Sequence, residues 1–422
     1  MSIAAARTKT VNLVPTILKA GFATAVSKTG NGVAVAAINE QAPTASVSLV
    51  INAGSRFDAG DKAGIAHFAK NFGFKNTGKR SGFRIARETE LVGGVLSSNL
   101  GRETISFTAE CLKEDVPYFV EVFGNIVSET KYAEHEFHGV ATSVAADCSA
   151  AEGSPEVAVV EALHTAAFRN GLGNSLYAAP YSDISTEDLK QFAADNFVAN
   201  RIALVATGVS QEKLKELANS SFADIASGSA VKTSAAKYFG GDARLASHSE
   251  QGHVAVAFEG AAAGTQEFYT AQVLRALLGG DHFIKWSTSG ASPLAAVASQ
   301  TGKDVKVSAF NFGYSDAGLF GIYAQAEHQE VAQVAKSAVD SLKAAAKAVS
   351  AEDFKRALSQ AKYEAASRYE VRASATEALV AAAFQGKQST GADVFAAKLL
   401  KSKPTTVVLG KTSELPYADA LI

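Results

Sequence analysis

Apolar residues recur along this chain with two different spacings, and the changes of spacing mark the elements. Short β-branched or alternating runs predict strands: ASVSLVIN before a turn at Gly54-Ser55-Arg56, and TISFTAECL ending at Leu112. VAQVAKSAVDSL, from Val331, instead places apolar residues at i, i+3, i+4 and i+7, the period of an amphipathic helix. Ser350, followed by Ala351, Glu352 and Asp353, reads as a helix N-cap with acids in the first turn, where the helix dipole favours them. Thr186 before Glu187 and Asp188 reads the same way.

The same order of elements occurs twice. The first half opens with the strand ending near Ile51 and the helix AGIAHFAKNFGF; the second opens with HVAVAFEGAAAG and the helix YTAQVLRALLGG. TISFTAECL, then the helices DVPYFVEVFGNIV and one from Glu134, are matched by LFGIYAQAE, VAQVAKSAVDSLKAAAKAV and SAEDFKRALSQAKYEAASRYE. Each half closes on a helix and an apolar strand, DLKQFAADNF with RIALVATG and ADVFAAKLL with TTVVLG. Between them SGSAVKTSAAKYFGGDAR is rich in small and polar residues, as a linker is. The expected organisation is a first domain over 21–222, a linker over 223–246 and a homologous second domain over 247–422. Each is expected to be α+β, a mostly antiparallel sheet with helices on one face.

Composition narrows the function classes. The chain has 422 residues, 47% apolar and 19% charged, a globular balance with room for two cores. A formal net charge of −2 gives no basic field for nucleic acid or anionic lipid. No apolar run reaches the roughly 18 residues of a membrane span. Two cysteines, Cys111 and Cys148, are too few for a disulfide framework and read as buried free thiols. No acidic residue precedes Glu40, whereas Arg7, Lys9, Lys19 and Lys28 are present among Ala, Ser, Thr and apolar side chains. That pattern is expected of a mitochondrial transit peptide over about residues 1–20.

The candidate chemistry lies in GSRFDAGDKAGIAHFAKNFGFKNT. This segment resembles the active-site entry of the pitrilysin-like metallopeptidases, whose helix carries H-x-x-E-H. Two His four residues apart share a helical face and reach one zinc, and the Glu activates the metal-bound water. Here the run is His67-Phe68-Ala69-Lys70-Asn71. The first ligand position is kept, the general-base position is a cationic lysine, and the second ligand position is a neutral amide. The third ligand position, Glu in active relatives, falls at Asp147, an alignment that LHTAAF (Leu163–Phe168) supports. The resemblance therefore implies degenerate zinc-motif positions at His67, Lys70, Asn71 and Asp147, with no bound metal, no cofactor and no peptidase activity. His135-Glu136-Phe137-His138 holds similar letters at the wrong spacing and reads as surface histidines.

Two further runs are similar to the core-two family of mitochondrial ubiquinol–cytochrome c reductase, complex III. One is N-x-x-Y-S-D-x-G-L-F-G, through Asn311, Tyr314, Ser315, Asp316, Gly318, Leu319, Phe320 and Gly321; the other is LHTAAFRNGLGNSLYAAP. The resemblance implies a processing-peptidase-type (LuxS/metallopeptidase-like) fold. It also implies a structural, non-catalytic role in a dimeric complex, peripheral to the inner membrane on its matrix side. The partners it implies are core protein 1, cytochrome b, cytochrome c1 and other complex III subunits, with no nucleic acid. The alternative is a presequence-binding, non-catalytic subunit of the mitochondrial processing peptidase. Leu278–Val297, with Gly279, Gly280 and Gly290, departs from the glycine-rich loop such a subunit uses and reads as a surface loop between two helices. Trp286 within it is either a partner contact or a core residue.

Overall fold

The computed structural model describes residues 26–179, 183–228, 234–247, 249–280, 292–301, 304–385, 400, 402–411 and 414–421. The expected transit peptide, Trp286 and most of the helix ADVFAAKLL lie outside the described residues.

The first half contributes β1 (Ser27–Lys28), β2 (Ala34–Ile38), β3 (Thr44–Ile51), β4 (Val95–Leu100), β5 (Ile105–Leu112) and β6 (Ile202–Thr207). Its helices are α1 (Ile65–Asn71), α2 (Gly82–Leu91), α3 (Val116–Glu129), α4 (Glu134–Glu152), α5 (Pro155–Phe168), α6 (Thr186–Asn196) and α7 (Gln211–Ser221). The second half contributes β7 (Gly241–Ala246), β8 (Gln251–Glu259), β9 (Lys306–Gly313), β10 (Gly318–Glu327) and β11 (Thr405–Gly410). With them come α8 (Gln266–Leu278), α9 (Pro293–Thr301), α10 (Val331–Lys347), α11 (Ala351–Ser367), α12 (Arg372–Gln385) and α13 (Ala418–Leu421).

The strands form two sheets, ordered β1-β2-β6-β3-β5-β4 and β7-β11-β8-β10-β9. With β1 set aside the orders coincide, which confirms the repeat read from the sequence. In each sheet one pair is parallel, β2 with β6 and β7 with β11; the others are antiparallel. This is the α+β architecture expected.

Alternation along β3 explains how its layers are filled. Ala45, Val47, Leu49 and Ile51 enter the main first-half core with Phe107, Phe119 and Phe123, while Val50 points to the opposite face. That opposite face carries Ala34, Ala36, Ala203 and Val205, and it is covered by Ala375 and Leu379 of α12, a helix of the second half. The exchange is reciprocal. Val159, Leu163 and Phe168 of α5 cover Ala255, Ala257, Leu319, Val407 and Leu409 of the second sheet. Helices therefore lie on both faces of each sheet, not one, and each half lends a helix to the other.

Two local expectations are corrected. The linker expected over 223–246 ends in strand: Gly241–Ala246 pairs with Thr405–Gly410, a partner remote in sequence, which supplies the ladder that GGDAR alone does not announce. The N-cap of α6 is Ser185, not Thr186; its hydroxyl accepts from the Asp188 N–H while the Asp188 carboxylate accepts from the Ser185 N–H, a reciprocal capping box. Ser350 caps α11 as expected.

Candidate functional site

The turn after β3 sets α1 in place. Gly64 precedes the helix at φ +90°, and a Cβ there would lie 2.4 Å from Ala178 Cα, so only glycine allows this contact. The buried Asp58 carboxylate accepts from the N–H groups of Gly64 (2.7 Å) and Ala66 (3.2 Å), satisfying donors that open α1. Burial nevertheless pushes its pKa up to about 7.

Three side chains of α1 converge on one oxygen of α4. His67 Nε2 and Lys70 Nζ each lie 3.0 Å from Asp147 Oδ2, and Asn71 Nδ2 lies 3.3 Å from it. The four positions read from the sequence are thus brought together in space. His67 is 2% exposed, with Tyr177 packed edge-on against its ring. Its Nδ1 accepts from the Ala178 N–H at 3.3 Å, so Nε2 carries the proton and donates it to Asp147. Burial lowers the His67 pKa more than the hydrogen bond to Asp147 raises it, and the ring is neutral near pH 7. Asp147, with its side chain 40% exposed, loses some solvation, yet the donors Lys70, His67 and Asn71 hold its pKa below the usual carboxylate value.

This donor set does not fit a zinc ion. Zinc takes deprotonated nitrogen, sulfur or carboxylate donors. Here the imidazole's metal-facing nitrogen bears a proton, Lys70 offers an ammonium, and the Asn71 amide turns its NH2 group to the site. Among the described residues there is no group of three or more His, Cys, Asp or Glu side chains placed to hold a metal. His135 and His138 sit exposed in the first two turns of α4. Cys111 and Cys148 are free and buried, and burial raises both thiol pKa values, Cys111 to about 12.

A second polar centre, whose wiring was not visible in the sequence, joins the halves. Arg56, from the turn after β3, reaches Asp316 with both guanidinium nitrogens (2.7 and 2.6 Å) and Glu103 at 2.8 Å. Glu103 in turn accepts from the N–H (2.9 Å) and hydroxyl (2.5 Å) of Ser315, and Asp316 accepts from the Ala236 N–H at 2.9 Å. Nearby, His164 donates from Nδ1 to the Val160 carbonyl and accepts the Tyr314 hydroxyl on Nε2, both at 2.7 Å. Burial pushes the His164 pKa down to about 3. Tyr314, Ser315 and Asp316 belong to the run quoted above, so the signal was present; their contacts with Arg56, Glu103 and His164 were not.

Residues 34–180 match the family described as Insulinase (Peptidase family M16), and residues 183–361 match the family described as Peptidase M16 inactive domain. The chain is 36% identical over 421 residues to "Cytochrome b-c1 complex subunit 2, mitochondrial" of Cryptococcus neoformans, covering 94% of each chain.

The chain belongs to the M16 peptidase family.

Within M16, the protein of the same name from Yarrowia lipolytica is 35% identical, covering 92% of this chain and 95% of its own. The human one is 33% identical over 320 residues, 75% of this chain and 70% of its own. The M16 match over 34–180 contains His67, Lys70, Asn71 and Asp147 together. Among the described residues no helix is long and apolar enough to cross a membrane.

Proposed function

We propose that this chain is a non-catalytic core subunit of the mitochondrial cytochrome b-c1 complex, complex III. The observation that carries the reading is the 36% identity to a subunit of that name over 94% of both chains. In this role it lies peripherally on the matrix side of the inner membrane. It stands beside core protein 1 and against the matrix-facing parts of cytochrome b and cytochrome c1, in a dimeric assembly.

The site chemistry agrees with a scaffold. A peptidase of the M16 kind needs a base to take a proton from metal-bound water, and the group at that position is the Lys70 ammonium, a donor only. Oδ2 of Asp147 already accepts from three donors. The covered sheet faces and the Arg56 centre give a rigid body suited to holding partners in place.

The test is to tag the chain at its C-terminus, purify it from mitochondria in mild detergent, and record the visible spectrum. With two cysteines and no C-x-x-C-H run, the chain has no attachment site for a c-type haem. Co-purifying b- and c-type haem absorption is the expected result. A colourless eluate carrying a zinc peptidase partner would overturn the assignment in favour of a processing-peptidase subunit.

A further inference from the structure

We infer that the Lys70 ammonium is the resident cation of the α1–α4 cluster, doing by itself the bridging that a divalent ion would otherwise do. The inference rests on reading His67, Lys70, Asn71 and Asp147 as a former metal position. It does not depend on which complex the chain joins.

Three features of the geometry support it. First, the charge is in the right place: Lys70 Nζ and His67 Nε2 share a single carboxylate oxygen, Asp147 Oδ2, at 3.0 Å each. Second, Lys70 stands in the last turn of α1, where the helix dipole favours a positive charge, and it bridges directly to α4. Third, the would-be ligands are bonded to each other: Nδ1 of His67 accepts from the Ala178 N–H, so its Nε2 donates to Asp147 Oδ2 at 3.0 Å, and neither atom has a lone pair turned to an empty centre. Asn71 completes the arrangement by donating to both the His67 carbonyl (3.2 Å) and Asp147 (3.3 Å), which fixes its amide with the NH2 group inward.

A metal-independent clasp follows. The carboxylate on α4 is neutralised by a cation that is part of α1, so docking of α1 against α4 requires no ion from solution. Asp147 is 40% and Lys70 16% exposed at the side chain, so the cluster is open to solvent on the α4 side and an ion could reach it if the ammonium were gone.

The full-length chain is compared as three variants by zinc competition against a chromogenic chelator, with wild type as baseline. Asn71→His restores the second imidazole but keeps the ammonium. Lys70→Ala/Asn71→His restores it and removes the ammonium. Adding Asp147→Asn to the double variant removes the carboxylate. The double variant is expected to bind zinc about 100-fold or more tighter than Asn71→His, since a fixed ammonium a few ångströms away repels a divalent ion. The triple variant should lose that gain. Equal zinc affinity of Asn71→His and the double variant would mean that Lys70 does not occupy the cation position, and overturns the inference. So does a double variant that is folded by circular dichroism but binds no more zinc than wild type. If the double variant does not fold alone, recovery of its helical signal on adding zinc supports the inference and absence of recovery overturns it. A colourless eluate in the tagging experiment would refute the complex III assignment and leave these affinities unchanged.

Discussion

Arg56 and Asp316 face each other across the two halves as a bidentate ion pair, with both guanidinium nitrogens within 2.7 Å of the carboxylate. The Arg56 side chain is 4% exposed, and its Nη1 also donates to Glu103. Arg56→Ala should strand two carboxylates in a partly desolvated seam and destabilise the chain by about 3 kcal/mol or more. Denaturant unfolding measures this, and a cycle with Asp316→Ala isolates the coupling between the partners. A single-variant loss below about 0.5 kcal/mol, the scale of an exposed pair, would show that the pair does not hold the seam.

Acid sensitivity should come from the buried imidazoles. The folded state holds His164 neutral, with its pKa pushed down to about 3, and keeps His67 below its usual value. The unfolded chain protonates both near pH 6.5, so it binds more protons below that pH, and stability falls as pH drops from about 6.5 towards 3. Asp58 works oppositely. Its folded pKa of about 7 makes stability fall as pH rises from about 4 to 7. Comparing wild type with His164→Asn separates the two: the variant should show a shallower loss of urea midpoint between pH 6.5 and 4. Identical slopes would contradict a neutral buried His164.

Gly64→Ala should lower stability by about 1–3 kcal/mol, because alanine is strained at φ +90° and its Cβ would overlap Ala178. The same change at Gly60, which has no atom within 4 Å of an added Cβ, should be near neutral. Paired melting curves decide between them; similar shifts for both would remove the argument for Gly64.

Leu379→Ala, in a second-half helix, should cost about 2–5 kcal/mol and speed amide exchange in β2 and β6 of the first sheet. Residues 26–228 expressed alone should associate or misfold, since the face bearing Ala34, Ala36, Ala203 and Val205 loses α12. A well-behaved, cooperatively melting first half would contradict the exchange of helices.

Much of the fold was legible because burial imposes period on sequence. VAQVAKSAVDSL showed its helical face, and TISFTAECL showed the alternation of a strand with one buried side. The strand GDARLA was hidden within a stretch of linker composition, since its partner TTVVLG lies far along the chain. Ser185 was missed as a cap because Ser-Thr offers two adjacent hydroxyls, and only the backbone angles decide which one precedes the helix.

By itself the sequence determined the repeat and the α+β class and pointed to His67, Lys70, Asn71 and Asp147, because residue type and spacing decide which side chains share a helix face and which can bind metal. Only the tertiary structure decided that Lys70 lies against Asp147, that Arg56 spans to Asp316, and that α5 and α12 are exchanged between sheets. Those contacts join segments remote along the chain. Nothing local records them, since they form only where the packing of both cores brings the partners within reach.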